Sequence, residues 1–188
     1  MPRCVELGCG LLLLGLAVGC RQAAIEPAAP AASRAAPVAA LPAPDPKLAR
    51  LPLSDRLALE ADARPAQALR MDELAARLSE RGVVFAKKRQ VLASTIGAAY
   101  CELGATAEGL GVSLCEFADH AAAVLGEARS HQTFDALIPG RTLRARENSL
   151  LTLTQAEGET AQRQAKRVEE AFAALPLSAR EIKTALVR

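Results

Sequence analysis

The chain has 188 residues, 51% of them hydrophobic, and its 23 basic and 21 acidic residues leave a formal net charge of +2 at pH 7. Such a balanced charge argues against a nucleic-acid surface, which needs a concentrated basic stripe. Aromatic residues make up 3% of the chain and tryptophan is absent. We therefore expect a core of Leu, Val, Ala and Ile, without aromatic platforms on which bases or sugars stack.

The N-terminal segment has the form of an export signal. A weakly positive start is followed by the apolar run 11–18, which ends in Ala17-Val18-Gly19-Cys20. The run is too short to cross a bilayer, because a spanning helix needs about 20 apolar residues. Ala17-Val18-Gly19-Cys20 resembles the lipobox of bacterial lipoproteins, a resemblance that covers residues 1–20 only.

This resemblance implies that residues 1–19 are a signal peptide and that Cys20 receives a diacylglyceryl thioether, becomes the mature N-terminus and is then acylated. Lipid chains contribute about 0.8 kcal/mol for each buried CH₂, so several chains would hold the protein on a membrane. The expected location is the periplasmic side of the bacterial cell envelope. Arg21 in place of an aspartate favours the outer membrane. An ordinary secretory signal with an incidental cysteine is the alternative.

The mature chain is expected to have three parts. Residues 20–53 comprise the lipidated cysteine and an Ala/Pro-rich linker, whose prolines lack an N–H donor and favour a disordered tether. Residues 54–70 permit a short helix that begins at Ser54 and ends before Pro65. Residues 71–188 are expected to form an α+β domain.

The spacing of apolar residues predicts the elements of this domain in chain order. They are a helix from Asp72 to Gly82, a helix over 88–96, strands over 98–103 and 110–117, a helix over 119–129, strands over 141–146 and 150–155, a helix over 160–174 and a last helix from Ser178. The economical arrangement is a four-stranded, largely antiparallel sheet of two hairpins, with helices packed on one face.

The second hairpin is expected to turn through the three-residue loop 147–149. This loop places Leu143 opposite Leu153 and Ala145 opposite Leu151, so that one face carries all four apolar residues. A two-residue loop would set Leu143 against a threonine. In the expected register, the residues that face water, a partner or a ligand are Thr142, Arg144, Thr152 and Thr154.

Cys101 and Cys115 are the cysteines that remain once the leader is removed and Cys20 is lipidated. A turn centred near Glu108 sets them opposite each other on two antiparallel strands, close enough for a disulfide. The oxidising periplasm would close this disulfide, which would stabilise the fold by about 3 kcal/mol. Two reduced buried cysteines, or a redox-active dithiol, are the alternatives.

We expect neither a metal nor a cofactor. His120 and His131 are the only histidines, and their spacing from the cysteines does not match a zinc site. Glu102 and Glu116 could be offered as a glycosidase pair, but they are expected to be exposed strand residues. The sequence contains no Gly-x-Ser-x-Gly and no glycine loop that would hold a phosphate.

Together these features predict a membrane-anchored lipoprotein whose non-catalytic domain binds or assembles with a partner in the envelope, most simply another envelope protein. A tether at the membrane would raise the local concentration of such a partner. A thiol–disulfide factor or other enzyme that uses Cys101 and Cys115 is one alternative, and a small-ligand carrier is another. Lys87-Lys88-Arg89 is expected to be a solvated basic turn, with anionic lipid headgroups as an alternative contact.

Overall fold

A computed structural model describes residues 46–154 and 158–176 and confirms an α+β architecture. In chain order the elements are a 3-10 turn (Leu48–Arg50), α1 (Leu53–Asp62), α2 (Met71–Ser79), β1 (Phe85–Val91), a 3-10 turn (Ser94–Ile96), β2 (Tyr100–Thr106), β3 (Gly111–Glu116), α3 (His120–Phe134), β4 (Thr142–Arg146), β5 (Ser149–Thr154) and α4 (Glu159–Ala173). The leader, Cys20, linker residues 21–45 and the helix expected from Ser178 lie outside the described residues.

The strands form one antiparallel sheet of five strands in the order β1-β2-β3-β5-β4. The expectation of four strands was wrong, because residues 85–91 form β1 where a helix over 88–96 was predicted. β1 is an edge strand with four consecutive exposed residues, so the alternation that announces a half-buried strand is missing from it. The remainder of the predicted helix is the 3-10 turn, which ends at Gly97 with a φ of 76°.

Helices cover both faces of the sheet, so the expectation of a single covered face was also wrong. We call the two faces of the sheet face A and face B. On face A, Leu114 of β3 and Leu151 of β5 pack against α2 and α4. Face B, the opposite one, packs Cys115 and Leu150 beneath α3. Neighbouring residues of a strand point to opposite faces, so these adjacent buried pairs show that each face has its own core.

The second hairpin has a different register from the one expected. Leu143 pairs with Thr152 and Ala145 with Leu150, around the two-residue loop Glu147-Asn148. Glu147 has a φ of 52°, the left-handed region that short hairpin loops require. The expected register assumed that only one face could bury leucines. Because both faces are covered, Leu150 on face B and its neighbours on face A are all buried.

Other parts of the chain follow the sequence-based expectation more closely. The first hairpin forms as predicted, and Asp119 caps α3 by accepting a hydrogen bond from the Ala122 N–H at 2.8 Å. α1 occupies part of the segment 54–70, although Pro52 precedes it and Ser54 lies inside it. α2 begins one residue before the expected cap Asp72, and Glu73 closes its N-terminus by accepting a hydrogen bond from the Arg70 N–H.

The position of α3 on face B depends on a close contact at Gly126. A Cβ atom at this position would lie 2.3 Å from the ring of Phe117, a residue that is 1% exposed. The missing side chain lets the helix approach the sheet, where it lies chiefly over β4 and β5. Among the described residues, no helix lies above the part of face B that belongs to β1 and β2.

Candidate binding groove

A groove of about 440 Å³ opens on face B beside α3. Its floor is made by side chains of the central strands, among them Leu103, Ser113 and Thr152. Val91 and Ile96 form the wall on the β1 side. The opposite wall comes from the end of α3 and the loop before β4, through Phe134, Ile138 and Arg141. Its volume lies within the range of about 300–1,000 Å³ that small-ligand sites occupy.

The lining of the groove is aliphatic, with hydroxyl groups on the floor. Thr152 and Thr154, two of the four residues expected to face water, a partner or a ligand, line it together with Ser113. Thr142 and Arg144 instead share face A with their register partners Leu153 and Leu151. The altered register of the second hairpin therefore separates the four residues into two pairs and places one pair in a concavity.

Arg141 provides the polar group on the far wall. Its guanidinium donates to Ser130 Oγ at 3.0 Å, to the Ser130 carbonyl oxygen at 2.9 Å and to Asp135 Oδ1 at 2.8 Å. The side chain is 4% exposed, and its Nε atom has no hydrogen-bond partner among the described residues. Buried donors are satisfied in the great majority of cases, so this buried N–H is an exception in the wall residue Arg141.

Apolar residues stand exposed at the rim of the groove beside Arg141. Ile138, which lines the groove, is 42% exposed, and its neighbour Leu137 is 73% exposed. Single exposed leucines are ordinary on protein surfaces, but apolar residues that border an apolar concavity enlarge the area a ligand can cover. The rim and the groove together form one candidate binding surface.

The predicted pairing of Cys101 with Cys115 is confirmed as a disulfide. The two residues are register partners on β2 and β3, with Cα atoms 4.1 Å apart. They line the groove on its sheet side but are only 1% and 5% exposed. Thiol–disulfide exchange needs a thiolate to reach a sulfur atom, so this burial favours a structural role.

Glu116 is not the exposed strand residue that was expected. It is 1% exposed, lies on face A, and both of its carboxylate oxygens accept hydrogen bonds from Arg64 Nε at 2.9 Å. The Arg64 guanidinium also stacks 4.1 Å from the centre of the Tyr100 ring. This arrangement joins the segment between α1 and α2 to the end of β3. It lies on the face of the sheet opposite the groove.

Two opposing effects act on the pKa of Glu116. Burial raises the pKa of its carboxyl group, and the hydrogen bond from Arg64 lowers it, with burial the larger effect. The same contact raises the pKa of the Arg64 guanidinium. The Glu116 carboxylate is engaged in a buried ion pair with Arg64.

The two histidines lie apart at the two ends of α3. His120 is the first residue of the helix, and its Nδ1 atom lies 2.9 Å from the Glu147 carbonyl oxygen. His131 Nδ1 lies 2.8 Å from Asp135 Oδ2. In residues 46–154 and 158–176, no three His, Cys, Asp or Glu side chains converge as they would around a metal ion.

Comparison with known proteins yields no relative. No family model matches the sequence, and no curated protein and no solved structure is significantly similar to the chain. Among the helices of the described residues, none combines the length and the apolar character needed to cross a membrane.

The Arg64–Glu116 pair makes a prediction about stability and pH. The variant Arg64→Met leaves a buried carboxylate without its partner, so we expect unfolding at neutral pH to cost about 3–5 kcal/mol less than in the wild type. Removal of Arg64 also removes an influence that lowers the Glu116 pKa, so this pKa rises further. Because the folded-state pKa of Glu116, already raised in the wild type, then lies still further above the unfolded value, the variant loses more stability than the wild type as pH rises through this pKa.

Urea unfolding of both proteins between about pH 4 and pH 8 measures this difference. The double variant Arg64→Met/Glu116→Gln is the control, because it has no carboxyl group to titrate at this position. Its stability relative to the wild type should lack the loss that Arg64→Met shows with rising pH. A deficit in Arg64→Met that is the same at every pH would contradict the assignment of Glu116 as the titrating group.

Proposed function

We propose that the protein is a membrane-anchored lipoprotein of the bacterial cell envelope whose domain faces the periplasm and binds a ligand without transforming it. The groove on face B is the binding site in this proposal. The observation that carries it is the part of the sheet that α3 leaves uncovered, about 440 Å³ of largely aliphatic space with hydroxyl groups on its floor and Arg141 in its wall.

The anchoring part of the proposal is supported by the sequence. Ala17-Val18-Gly19-Cys20 resembles a lipobox, and the Ala/Pro-rich linker that follows is typical of a tether between a lipid and a domain. The absence of an aspartate after Cys20 favours the outer membrane. A protein held there would meet its ligand at the membrane surface, which raises the local concentration of both.

Binding is favoured over catalysis by the chemistry of the groove lining. General acid–base catalysis needs a side chain that can exchange a proton near the working pH. Among the described residues, the titratable groups that line the groove are Arg141 and two cysteines joined in a disulfide. Aliphatic and hydroxyl side chains can hold and orient a ligand but supply no proton at neutral pH.

A small-ligand carrier is the form of binding that the groove favours. The sequence pointed to this alternative on the condition that the polar residues of the second hairpin line a concavity, and Thr152 and Thr154 do so. The thiol–disulfide alternative has less support, because Cys101 and Cys115 are buried on paired strands. Reactive disulfides sit where a thiolate can approach them.

The groove can be tested with a charge placed at its rim. Ile138→Glu puts a carboxylate beside the aliphatic lining, so we expect it to weaken binding of the neutral fluorescent probe N-phenyl-1-naphthylamine about tenfold, which corresponds to about 1.4 kcal/mol. Val124→Glu is the matched control, because Val124 is 45% exposed, close to the 42% of Ile138, and does not line the groove.

Probe fluorescence titrated against protein gives the dissociation constants, and circular dichroism verifies that both variants are folded. Wild type and Val124→Glu should bind equally well. If the wild type does not bind the probe, or if Ile138→Glu binds it as tightly as Val124→Glu does, the groove is not the binding site.

The lipid anchor can be tested in the full-length precursor. Cys20→Ser removes the thiol that would accept the diacylglyceryl group, so we expect the variant to leave the detergent-soluble membrane fraction that contains the wild type. Mass spectrometry of the wild-type N-terminus should show a lipid-modified Cys20. Cys9→Ser, a second leader cysteine, is the control and should be processed normally. An unmodified N-terminus, or identical fractionation of Cys20→Ser and wild type, would contradict anchoring.

A further inference from the structure

Two basic residues on β1 lie on face B at the margin of the groove. Arg89 is the register partner of Leu103, which lines the floor, and Lys87 is the register partner of Ala105. Val91, two residues further along the same face, lines the groove itself. Because residues of a strand alternate between faces, Lys87, Arg89 and Val91 leave the sheet on the same side.

Within the described residues, the charges of Lys87 and Arg89 are not compensated. Neither side chain forms an ion pair or a hydrogen bond with another side chain in the described part of the chain, and both are exposed. Lys88, between them, points to face A and pairs with Asp72 of α2. The basic run Lys87-Lys88-Arg89 is therefore divided by the strand into one neutralised charge and two free charges.

No acidic residue of the sheet opposes these two charges. On face B the strands contribute, besides Lys87 and Arg89, only apolar, small or hydroxyl-bearing residues, namely Val91, Cys101, Leu103, Ala105, Gly111, Ser113, Cys115, Leu143, Ala145, Leu150, Thr152 and Thr154. Arg141 on the far wall is balanced by Asp135 at 2.8 Å, so its net charge is small. The attraction for an anion therefore comes from the β1 side.

The floor of the groove limits the kind of ligand it can hold. A peptide that binds a sheet does so through main-chain hydrogen bonds at a free edge. The floor is built on β2, β3 and β5, each of which is paired with a strand on both sides. Their main-chain groups are used within the sheet, so contact in the groove is through aliphatic and hydroxyl side chains. An aliphatic chain fits this lining better than an added peptide strand does.

From these observations we propose that the ligand is an anionic amphiphile with an aliphatic chain and a carboxylate or phosphate head. The chain lies across the floor towards Phe134 and Ile138, and the head lies at the open margin beside Lys87 and Arg89. This inference rests on the proposed binding function of the groove and adds the chemical class of the ligand. Charge-assisted hydrogen bonds donated by Arg89 and Lys87 to the head would select the anion.

Displacement of N-phenyl-1-naphthylamine by four compounds of matched chain length tests the inference. Decanoate and decyl phosphate carry the two anionic heads, decyl glucoside is neutral, and decyltrimethylammonium is cationic. Each is used below its micelle concentration at low salt. We expect at least one anionic compound to bind about tenfold more tightly than decyl glucoside, and we expect added salt to reduce the difference. The two anionic arms distinguish a fatty-acid head from a lipid phosphate.

Neighbouring residues of β1 supply matched variants. Arg89→Gln and Lys87→Gln should lose the preference for the anionic compounds and keep their affinity for the neutral probe. Lys88→Gln, whose side chain points to face A, should keep both. Retention of the probe affinity shows that each variant is folded, so a lost preference can be assigned to the missing charge.

Three outcomes would overturn the inference. Equal binding of anionic and neutral compounds would remove the anionic head from the proposal while leaving the groove as a binding site. If Lys88→Gln loses as much of the preference for anionic compounds as Arg89→Gln does, the preference arises from the overall positive charge of the protein and not from the residues on face B. Stronger displacement by a peptide of alternating Glu and Leu than by decyl phosphate would replace the amphiphile with an acidic protein segment. Failure of the probe itself to bind would contradict the proposed function instead.

Discussion

The structure depends on unequal covering of the two faces of one sheet. Five strands span about 19 Å between the outer two, whereas one helix is about 10 Å wide. Face A is covered by two helices, α2 and α4, and its core is continuous. Of the helices in residues 46–154 and 158–176, only α3 packs on face B, where the close contact between Gly126 and Phe117 holds it over β4 and β5. The width that α3 cannot cover is the groove. One wall is the end of β1 with the 3-10 turn that follows it, and the other is the end of α3 with the loop before β4.

Local signals were sufficient where neighbours in the sequence are also neighbours in space. The first hairpin, the opposition of Cys101 and Cys115, and the cap of α3 at Asp119 each follow from residues within one turn or one hairpin. The errors arose where an element depends on distant partners. β1 is a strand because it pairs with β2, although its exposed basic residues carry no strand pattern of their own. The register of the second hairpin depends on a helix packed on the face that was expected to be bare.

The candidate site was less accessible from the sequence than the fold. Its walls come from segments as far apart as Val91 and Ile138, and a leucine or threonine on a groove floor looks the same in the sequence as one under a helix. The ion pair of Arg64 and Glu116 joins residues 52 positions apart, and Arg64 lies outside every regular element. One signal was present, since the polar residues of the second hairpin were expected to face water, a partner or a ligand, and Thr152 and Thr154 line the groove.

The central claim is that the uncovered part of face B is the place where ligand binds. Methyl NMR of protein labelled at Ile, Leu and Val, titrated with decyl phosphate, tests it most directly. The account predicts that the methyl signals of Val91, Leu103 and Ile138 shift together along one binding curve, whereas those of Val112 and Leu153, buried on face A, stay in place. Signals that shift on face A instead, or signals that shift on neither face at saturating decyl phosphate, would contradict it.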